Sequence, residues 1–230
     1  MKILFIDTSS KLAHVYVSED GKNLSEETNF GEKTHSVELM PMVERAMNKA
    51  KFRMKDIDLV AATNGPGSYT GIRISLATAK MLAYGADIPL VPVNSLDFIG
   101  ESAAADAPDD EKSAVFVPML DARNRQVYYK LNGEHKAGDV TEICKVIRDN
   151  GDEKIIFCGD GAVNNADIIS EIMSGKNFVI LDSESSKGSP EGAYNITMKI
   201  FNDAPDKEAF NPANAFADYI KDVHITEKKK

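Results

Sequence analysis

Residues 64–73 read Asn64-Gly65-Pro66-Gly67-Ser68-Tyr69-Thr70-Gly71-Ile72-Arg73, and the chain is organised around this stretch. A short apolar run precedes it at 57–61, and apolar residues recur at helical spacing after it, at Leu76, Ala77, Ala79 and Leu82. The pattern predicts a strand, a glycine loop and a helix that begins near Ser68. Such a helix start can bind an anion. The alternative is a tight turn without a ligand, and both stay open because no Gly-Lys-Ser/Thr or GxGxxG motif is present.

Composition excludes several classes of protein. The 230 residues are 43% hydrophobic and 27% charged, which is typical of a soluble globular protein with one large or two small domains. The net charge of -9 argues against a general nucleic-acid surface. The apolar run at 3–6 is too short for a signal peptide or a membrane span, so we expect a cytoplasmic protein without membrane association. Cys144 and Cys158 lie outside any CxxC motif, and we expect them to be reduced and structural.

In the first half of the chain, local patterns predict alternating strands and helices. Strands are expected at 2–6, 13–18, 23–29 and 88–93, with an Asp-Gly hairpin between the second and third. A helix is expected at 34–51, capped by Thr34 and bent or delayed by Pro41. We expect Ser95 to cap the next helix. Small and acidic residues at 103–112 predict a linker.

The second half repeats this outline. Strands at 114–121 and 126–131 enclose an acidic turn, so that Asp121 falls where Asp7 falls in the first half. After the Asn132-Gly133 turn, the expected elements are a helix at 140–150 ended by Gly151, a strand at 154–158, a glycine loop at 159–161, a helix through Ile172, a strand at 178–181, a helix at 190–201 capped by Ser189, and a last short element within 210–225. We therefore predict two lobes, 1–104 and 105–230, with the last segment a candidate for packing back on the first.

This duplication suggests the two-lobed α/β fold shared by actin, sugar kinases and Hsp70 ATPase domains. Residues 64–73, the opening Ile6-Asp7-Thr8-Ser9 and residues 120–128 together resemble the TsaB (YeaZ) family along most of the chain. The tail departs from the family pattern, since Ala217 replaces a proline before Tyr219. The resemblance implies a subunit of the bacterial machinery that makes threonylcarbamoyladenosine at position 37 of tRNA, binding TsaD and acting with TsaE.

The resemblance also implies a non-catalytic scaffold with no cofactor of its own. ATP would be used by the assembled complex, and tRNA would be bound only through it. Alone, the protein is expected to form a homodimer, and with TsaD a heterodimer on the same face. We expect the helices at 34–51 and 68–80 to supply the partner interface through His35, Leu39, Met42, Val43, Met47, Tyr69, Ile72, Arg73, Leu76, Ala79 and Lys80.

A nucleotide cleft is the main alternative site. The fold could bring phosphates and adenosine to residues at the two acidic turns and the second glycine loop, namely Asp7, Thr8, Asp121, Gly159 and Gly161. Against a working site, the first turn offers no lysine, and Asp160 lies between the two glycines, so we expect a vestigial cleft. The alternative function is an ATP-binding phosphotransferase or ATPase of this fold.

Peptidase and metal chemistry have less support in the sequence. Ser68 and the two cysteines have no identifiable histidine and acid partners, which a nucleophile needs. None of His14, His35, His135 and His224 lies four residues from another, so the sequence holds no HxxxH metal pair. We interpret His35 as a helix-start or interface residue, and we expect no catalytic residue.

Overall fold

Three antiparallel strands open the chain: β1 (Lys2–Asp7), β2 (Leu12–Glu19) and β3 (Lys22–Phe30). β1 also pairs in parallel with β4 (Leu59–Gly65), and β4 pairs in parallel with β5 (Leu90–Asn94). The resulting order is β3-β2-β1-β4-β5. The computed structural model describes residues 1–30, 35–150, 153–184 and 186–220.

The second half builds a sheet with the same order. Its strands are β6 (Val115–Asp121), β7 (Gln126–Leu131), β8 (Glu134–Asp139), β9 (Ile155–Cys158) and β10 (Phe178–Ile180). β6, β7 and β8 pair antiparallel, whereas β6, β9 and β10 pair parallel, so each strand occupies the place of its counterpart in the first sheet. The predicted duplicated, two-lobed α/β fold is confirmed.

Helices cover both sheets. The helices are α1 (His35–Ala50), α2 (Tyr69–Ala86), α3 (Ser95–Asp106), α4 (Val140–Asp149), α5 (Asp160–Asn164), α6 (Ala166–Ile172) and α7 (Pro190–Asp203). Of the helices that the structure describes, none is both long and apolar enough to cross a membrane.

The core has three parts because each sheet is buried on both faces. Leu4, Ile6 and Val15 of the first sheet pack against α1 and α2, while Ile3 and Phe5 point to the opposite face, as the period of two in a strand requires. That opposite face meets α3 and α7, which pack on each other between the lobes. α4 and α6 cover the outer face of the second sheet. The lobe boundary at 104/105, which falls within α3, stays a prediction.

The structure differs from the predicted elements in several places. α1 runs without interruption through Pro41, so the expected late start is wrong; the cap assigned to Thr34 lies outside the described residues. Asn94, rather than Ser95, caps α3, because its side chain accepts a hydrogen bond from the backbone N–H of Leu96 at 2.9 Å. The expected linker at 103–112 begins as the last turn of α3. Gly151 and residues 221–225 also lie outside the described residues.

Strand β8 was missed in the sequence analysis. Its residues are Glu134–Asp139, with three charged side chains, a histidine and a glycine, so the stretch lacks the β-branched and aromatic residues typical of strands. β8 lies at the edge of the second sheet, where charged side chains discourage further strand pairing. β8 occupies the place of β3, so the internal repeat was the signal that could have located this strand, whereas local propensity gave none.

The two helices expected to bind a partner direct their apolar stripes into the core. Eight of the eleven predicted interface residues are buried in the single chain: His35, Leu39, Met42, Val43, Met47, Ile72, Leu76 and Ala79. Seven are apolar; six of them belong to the core between the first sheet, α1 and α2, and Ile72 is fully buried too. These seven side chains are therefore packing residues rather than contact residues, which corrects their assignment. Tyr69 and Arg73 remain exposed and Lys80 half-buried.

The burial of Val43 predicts that Val43→Arg destabilises the folded chain itself. Val43 is 4% exposed, so an arginine there would bury an unpaired charge, and we expect a loss of about 3 kcal/mol or more in the free energy of unfolding. The matched control is Val37→Arg on the same helix, where the side chain is 71% exposed. Thermal unfolding followed by circular dichroism should show a large loss only for Val43→Arg. A folded, stable Val43→Arg monomer would contradict the core assignment.

Candidate functional site

The glycine loop packs its backbone directly against the first acidic turn. The backbone N–H of Ser68 donates to the carbonyl of Ser9 at 2.7 Å, and the Thr8 hydroxyl donates to the carbonyl of Gly71 at 2.7 Å. A Cβ atom at Gly71 would lie 1.8 Å from the Thr8 carbonyl oxygen, and one at Gly67 would lie 2.3 Å from that of Ser9. Glycine is required at both positions because the two backbones approach too closely to leave room for a Cβ atom.

The start of α2 is capped from within the chain. The Ser68 hydroxyl oxygen accepts a hydrogen bond from the backbone N–H of Gly71 at 3.3 Å. Gly65 is constrained by the C-terminal segment, because a Cβ atom there would lie 2.1 Å from the carbonyl oxygen of Asp218. Of the two interpretations of residues 64–73, this geometry favours the tight turn between strand and helix.

Asp7 holds the first acidic turn together from a buried position. Its Oδ1 accepts hydrogen bonds from the backbone N–H of Ser9 at 2.9 Å and from the Thr63 hydroxyl at 2.6 Å. The bond to Ser9 closes an Asx turn, and the bond to Thr63 ties β1 to β4. Asp7 and Thr8 thus have structural partners at the position where the sequence suggested a phosphate site.

The second lobe repeats this arrangement around Asp121. Oδ1 of Asp121 accepts from the backbone N–H of Arg123 at 2.8 Å, which is the same Asx turn, and Asp160 Oδ1 accepts from the backbone N–H of Asp121 at 2.9 Å. Cβ atoms at Gly159 and Gly161 would lie 2.2 Å from the Met119 carbonyl oxygen and 2.8 Å from the Leu120 carbonyl carbon. Close packing against β6 therefore accounts for both glycines of the second loop.

An open cleft of about 830 Å³ separates the two turns. The helix start at Gly67 to Thr70 lines one side, and Asp121, Arg123 and Asp160 line the other. Lys11 also lines this cleft, which corrects the expectation that the first turn offers no lysine: the residue after Ser10 reaches the site. Arg123 was missed as well. It opens a turn of three consecutive left-handed residues, 123–125, with φ between 52° and 65°, which local sequence does not predict.

A smaller cavity lies beside this cleft, with His14 in its wall. The Tyr16 hydroxyl donates to the carbonyl of Gly188 at 2.8 Å and lies 2.9 Å from His14 Nδ1. Since the one hydroxyl proton is used on Gly188, His14 Nδ1 carries the proton of the imidazole and donates to Tyr16. Burial lowers the pKa of His14 from 6.5 to about 4, so the ring is neutral at pH 7.

Among the described residues there is neither an activated cysteine nor a cluster of metal ligands. Burial raises the pKa of both Cys144 and Cys158 to about 12, so neither thiol is activated, and their predicted structural role is supported. Within the described ranges, no cluster of three or more His, Cys, Asp or Glu side chains could hold a metal ion. His35 is buried, and its Nε2 has no hydrogen-bond partner there.

The outer side of α2 carries a separate cluster of aromatic and cationic side chains. The Arg73 guanidinium lies 4.0 Å from the Tyr69 ring centre, and its Nε donates to the Tyr219 hydroxyl at 3.3 Å. Lys80 lies 5.1 Å from the ring centre of Phe216. Tyr219 and Phe216 belong to the C-terminal segment, which is pinned to β4 by the bond from the Asp218 N–H to the Asn64 carbonyl at 2.7 Å.

Comparisons with known structures agree with the two-lobed fold. A Pseudomonas aeruginosa protein described as similar to the peptidase YeaZ superposes with a TM-score of 0.72 over 96% of this chain and 99% of its own, at 19% identity. The Lmo2764 protein from Listeria monocytogenes, provisionally described as an N-acetylmannosamine kinase, superposes with a TM-score of 0.52 at 10% identity, over 86% and 99%. At these identities the likeness shows the fold alone: two lobes of the actin and sugar-kinase class.

Sequence similarity gives the family. The family model described as TsaD: tRNA N6-adenosine threonylcarbamoyltransferase matches residues 29–155, more than half of the chain. The Bacillus subtilis tRNA threonylcarbamoyladenosine biosynthesis protein TsaB is 29% identical over 78% of this chain and 80% of its own length. Matches to three further proteins of that name span about half of each. The chain belongs to this threonylcarbamoyltransferase family, as a member of its TsaB (YeaZ) branch.

The first testable consequence of the site concerns two glycines of α2. Gly71→Ala should lower the free energy of unfolding by about 2 kcal/mol or more, because the new methyl group would overlap the Thr8 carbonyl. Gly85→Ala is the matched control in the same helix: nothing lies within 4 Å of its Cβ position, so it should stabilise by about 0.5–1 kcal/mol. Urea unfolding of both variants measures the difference. If both variants change the unfolding free energy equally, the loop can shift to accommodate a methyl group at residue 71.

The second consequence concerns pH. Because the folded-state pKa of His14 is about 4 and its ordinary value is 6.5, the unfolded state gains a proton first as pH falls. The stabilising contribution of neutral His14 is complete above pH 6.5 and is lost between there and pH 4. Between pH 7 and pH 5 it should account for about 2 kcal/mol of lost stability. In His14→Gln, the unfolding free energy measured with urea should fall by that much less between pH 7 and pH 5. If the fall is the same as in the natural chain, other groups cause it.

Proposed function

We propose that this chain is a non-catalytic subunit of the bacterial machinery that makes threonylcarbamoyladenosine at position 37 of tRNA. The names of its curated relatives support the pathway. In this proposal the chain binds a TsaD-type partner and TsaE joins the assembly. ATP and tRNA are then used by the complex rather than by this subunit alone, and in the absence of TsaD the chain forms a homodimer.

The observation that carries this proposal is where the exposed large hydrophobic side chains lie. Of nine such side chains among the described residues, seven are on α1, on α2 or on the C-terminal segment that contacts α2: Val37, Met40, Tyr69, Met81, Tyr84, Phe216 and Tyr219. Exposed apolar side chains concentrated on neighbouring elements are typical of a protein interface. We call these seven residues together with Arg73 the outer face.

The composition of the outer face fits a binding surface. Tyrosine and arginine are enriched among the residues that carry most of the energy at protein interfaces. Tyr84 is 78% exposed, so no contact within its own chain explains its large apolar ring. The matching family model carries the TsaD description, so the proposed partner is a homologue, and a face that pairs two copies of this chain can also pair with that homologue.

The proposal predicts that the double variant Tyr69→Ala, Tyr84→Ala binds TsaD at least about tenfold more weakly than the natural chain, a loss of about 1.4 kcal/mol. Both side chains are exposed, so the fold should be retained. Isothermal titration calorimetry against TsaD of the source organism measures the affinity. Sedimentation of the variant alone measures self-association, which should weaken in parallel.

Val146→Ala supplies the matched control, because Val146 is 50% exposed on α4 in the second lobe, away from the outer face. Its affinity for TsaD should equal that of the natural chain. If the double variant binds TsaD as tightly as the control does, the outer face is not the binding surface. If the natural chain itself shows no binding to TsaD, the proposed partnership is wrong.

One observation favours the alternative function, an ATP-binding phosphotransferase or ATPase. Lys11 and Arg123 place two positive charges in the open cleft, near Asp121 and Asp160. Cationic side chains and backbone N–H groups are the usual ligands of phosphates. ATP turnover by the purified chain that disappears in Asp121→Ala would support this alternative, since Asp121 is exposed and its loss should leave the fold intact.

A further inference from the structure

The smaller cavity beside the open cleft is lined by side chains that the proposed partnership does not use. It holds about 220 Å³ and lies between Asp7 and His14 of the first lobe, Asp160 and Asn164 of the second, and Ser183 with residues 186–188. The Ser10-Lys11 turn, Leu120 and Asp160 border both this cavity and the open cleft. Three chemical groups among the lining side chains bear on which ligand it could bind.

The first group consists of hydrogen-bond acceptors. Both hydrogen bonds made to Asp7 use Oδ1, and the bond from the Asp121 N–H uses Oδ1 of Asp160, so neither structural role requires the Oδ2 atoms. His14 carries its proton on Nδ1, directed to Tyr16, and therefore offers Nε2 as a lone pair. Three acceptors in the wall of one cavity favour a ligand group that donates several hydrogen bonds, and the two carboxylates favour a cationic one.

The second group is cationic, and the third is apolar. Lys11 and Lys187 both line the cavity; the ammonium of Lys187 is 2.6 Å from Glu184, an exposed carboxylate. Lys11 lies close enough to Asp160 to oppose the rise that burial causes in the pKa of that carboxyl group. The apolar part of the wall comes from Leu12, Phe98, Ile99, Leu120 and Val163, and the polar side chains of Ser10, Asn164, Ser183 and Ser186 also line the cavity.

We propose that this cavity binds a free α-amino acid with an apolar side chain. Its ammonium group donates to Asp7, His14 and Asp160, its carboxylate pairs with Lys11, and its side chain packs on Phe98 and Leu120. The two ionic groups of an amino acid are one carbon apart, and the cavity likewise places acceptors and cations in one small space. A ligand with only one of the two charges would leave part of this lining unpaired.

The size of the cavity agrees with this class of ligand. An apolar protein cavity of about 150 Å³ holds benzene, so a cavity of about 220 Å³ has room for roughly nine non-hydrogen atoms, the size of leucine. Pockets for drug-sized ligands run from about 300 Å³ upward. The volume of this cavity therefore fits an amino acid better than a drug-sized ligand.

Isothermal titration calorimetry of the full chain with L-leucine tests the proposal. We expect saturable binding with a Kd below about 10 mM. Two leucine fragments separate the charges: 3-methylbutylamine lacks the carboxylate, and 4-methylpentanoate lacks the amine. Each should bind at least about tenfold more weakly than leucine, since each leaves one set of charged side chains unpaired.

Lys11→Met provides the matching change in the protein. Lys11 is exposed, so the fold should be retained, and leucine affinity should fall at least about tenfold while 3-methylbutylamine affinity stays unchanged. Lys55→Met, another exposed lysine outside the cavity, should bind leucine as the natural chain does. The proposal is overturned if leucine, methionine and phenylalanine all fail to bind at about 20 mM. It is also overturned if the amine alone binds as tightly as leucine, or if Lys11→Met leaves leucine affinity unchanged.

Discussion

The first lobe depends on one backbone-to-backbone contact, between the turn after β1 and the glycine loop before α2. Two hydrogen bonds of 2.7 Å join these segments, and side chains larger than hydrogen at Gly67 and Gly71 would prevent them. The contact fixes where α2 starts and therefore which of its faces meets the sheet. The position of the outer face, with Tyr69 and Arg73 at its end, follows from the same contact.

The second lobe uses the same solution, which explains why polar residues at the cleft have structural partners. Asp7 and Asp121 each close an Asx turn two residues on, and each turn packs near a glycine loop that has no room for a Cβ atom. The two lobes share this arrangement although the side chains around it differ. Asp7 is buried, whereas Asp121 is exposed to the open cleft beside Lys11 and Arg123.

α1 and α2 divide their residues between two tasks. Leu39, Val43 and Leu76 stabilise the lobe from inside, while the outer face presents tyrosines that the lobe does not need. The C-terminal segment adds Phe216 and Tyr219 to this face and is held in place by Gly65 and Asn64 at the end of β4. The outer face joins elements about 150 residues apart in the chain, and its shape therefore depends on the folded lobe.

The sequence alone determined the order of most strands and helices, the duplication and the family, because apolar periodicity and the 64–73 block are local signals. It did not predict β8, whose polar residues form a strand only because β7 offers a free edge. Periodicity showed that α1 and α2 each have an apolar stripe but not what covers it. Only the tertiary structure placed those stripes against the sheet, brought Lys11 to the cleft and set Asp7, His14 and Asp160 around one cavity, since such contacts join residues distant in sequence.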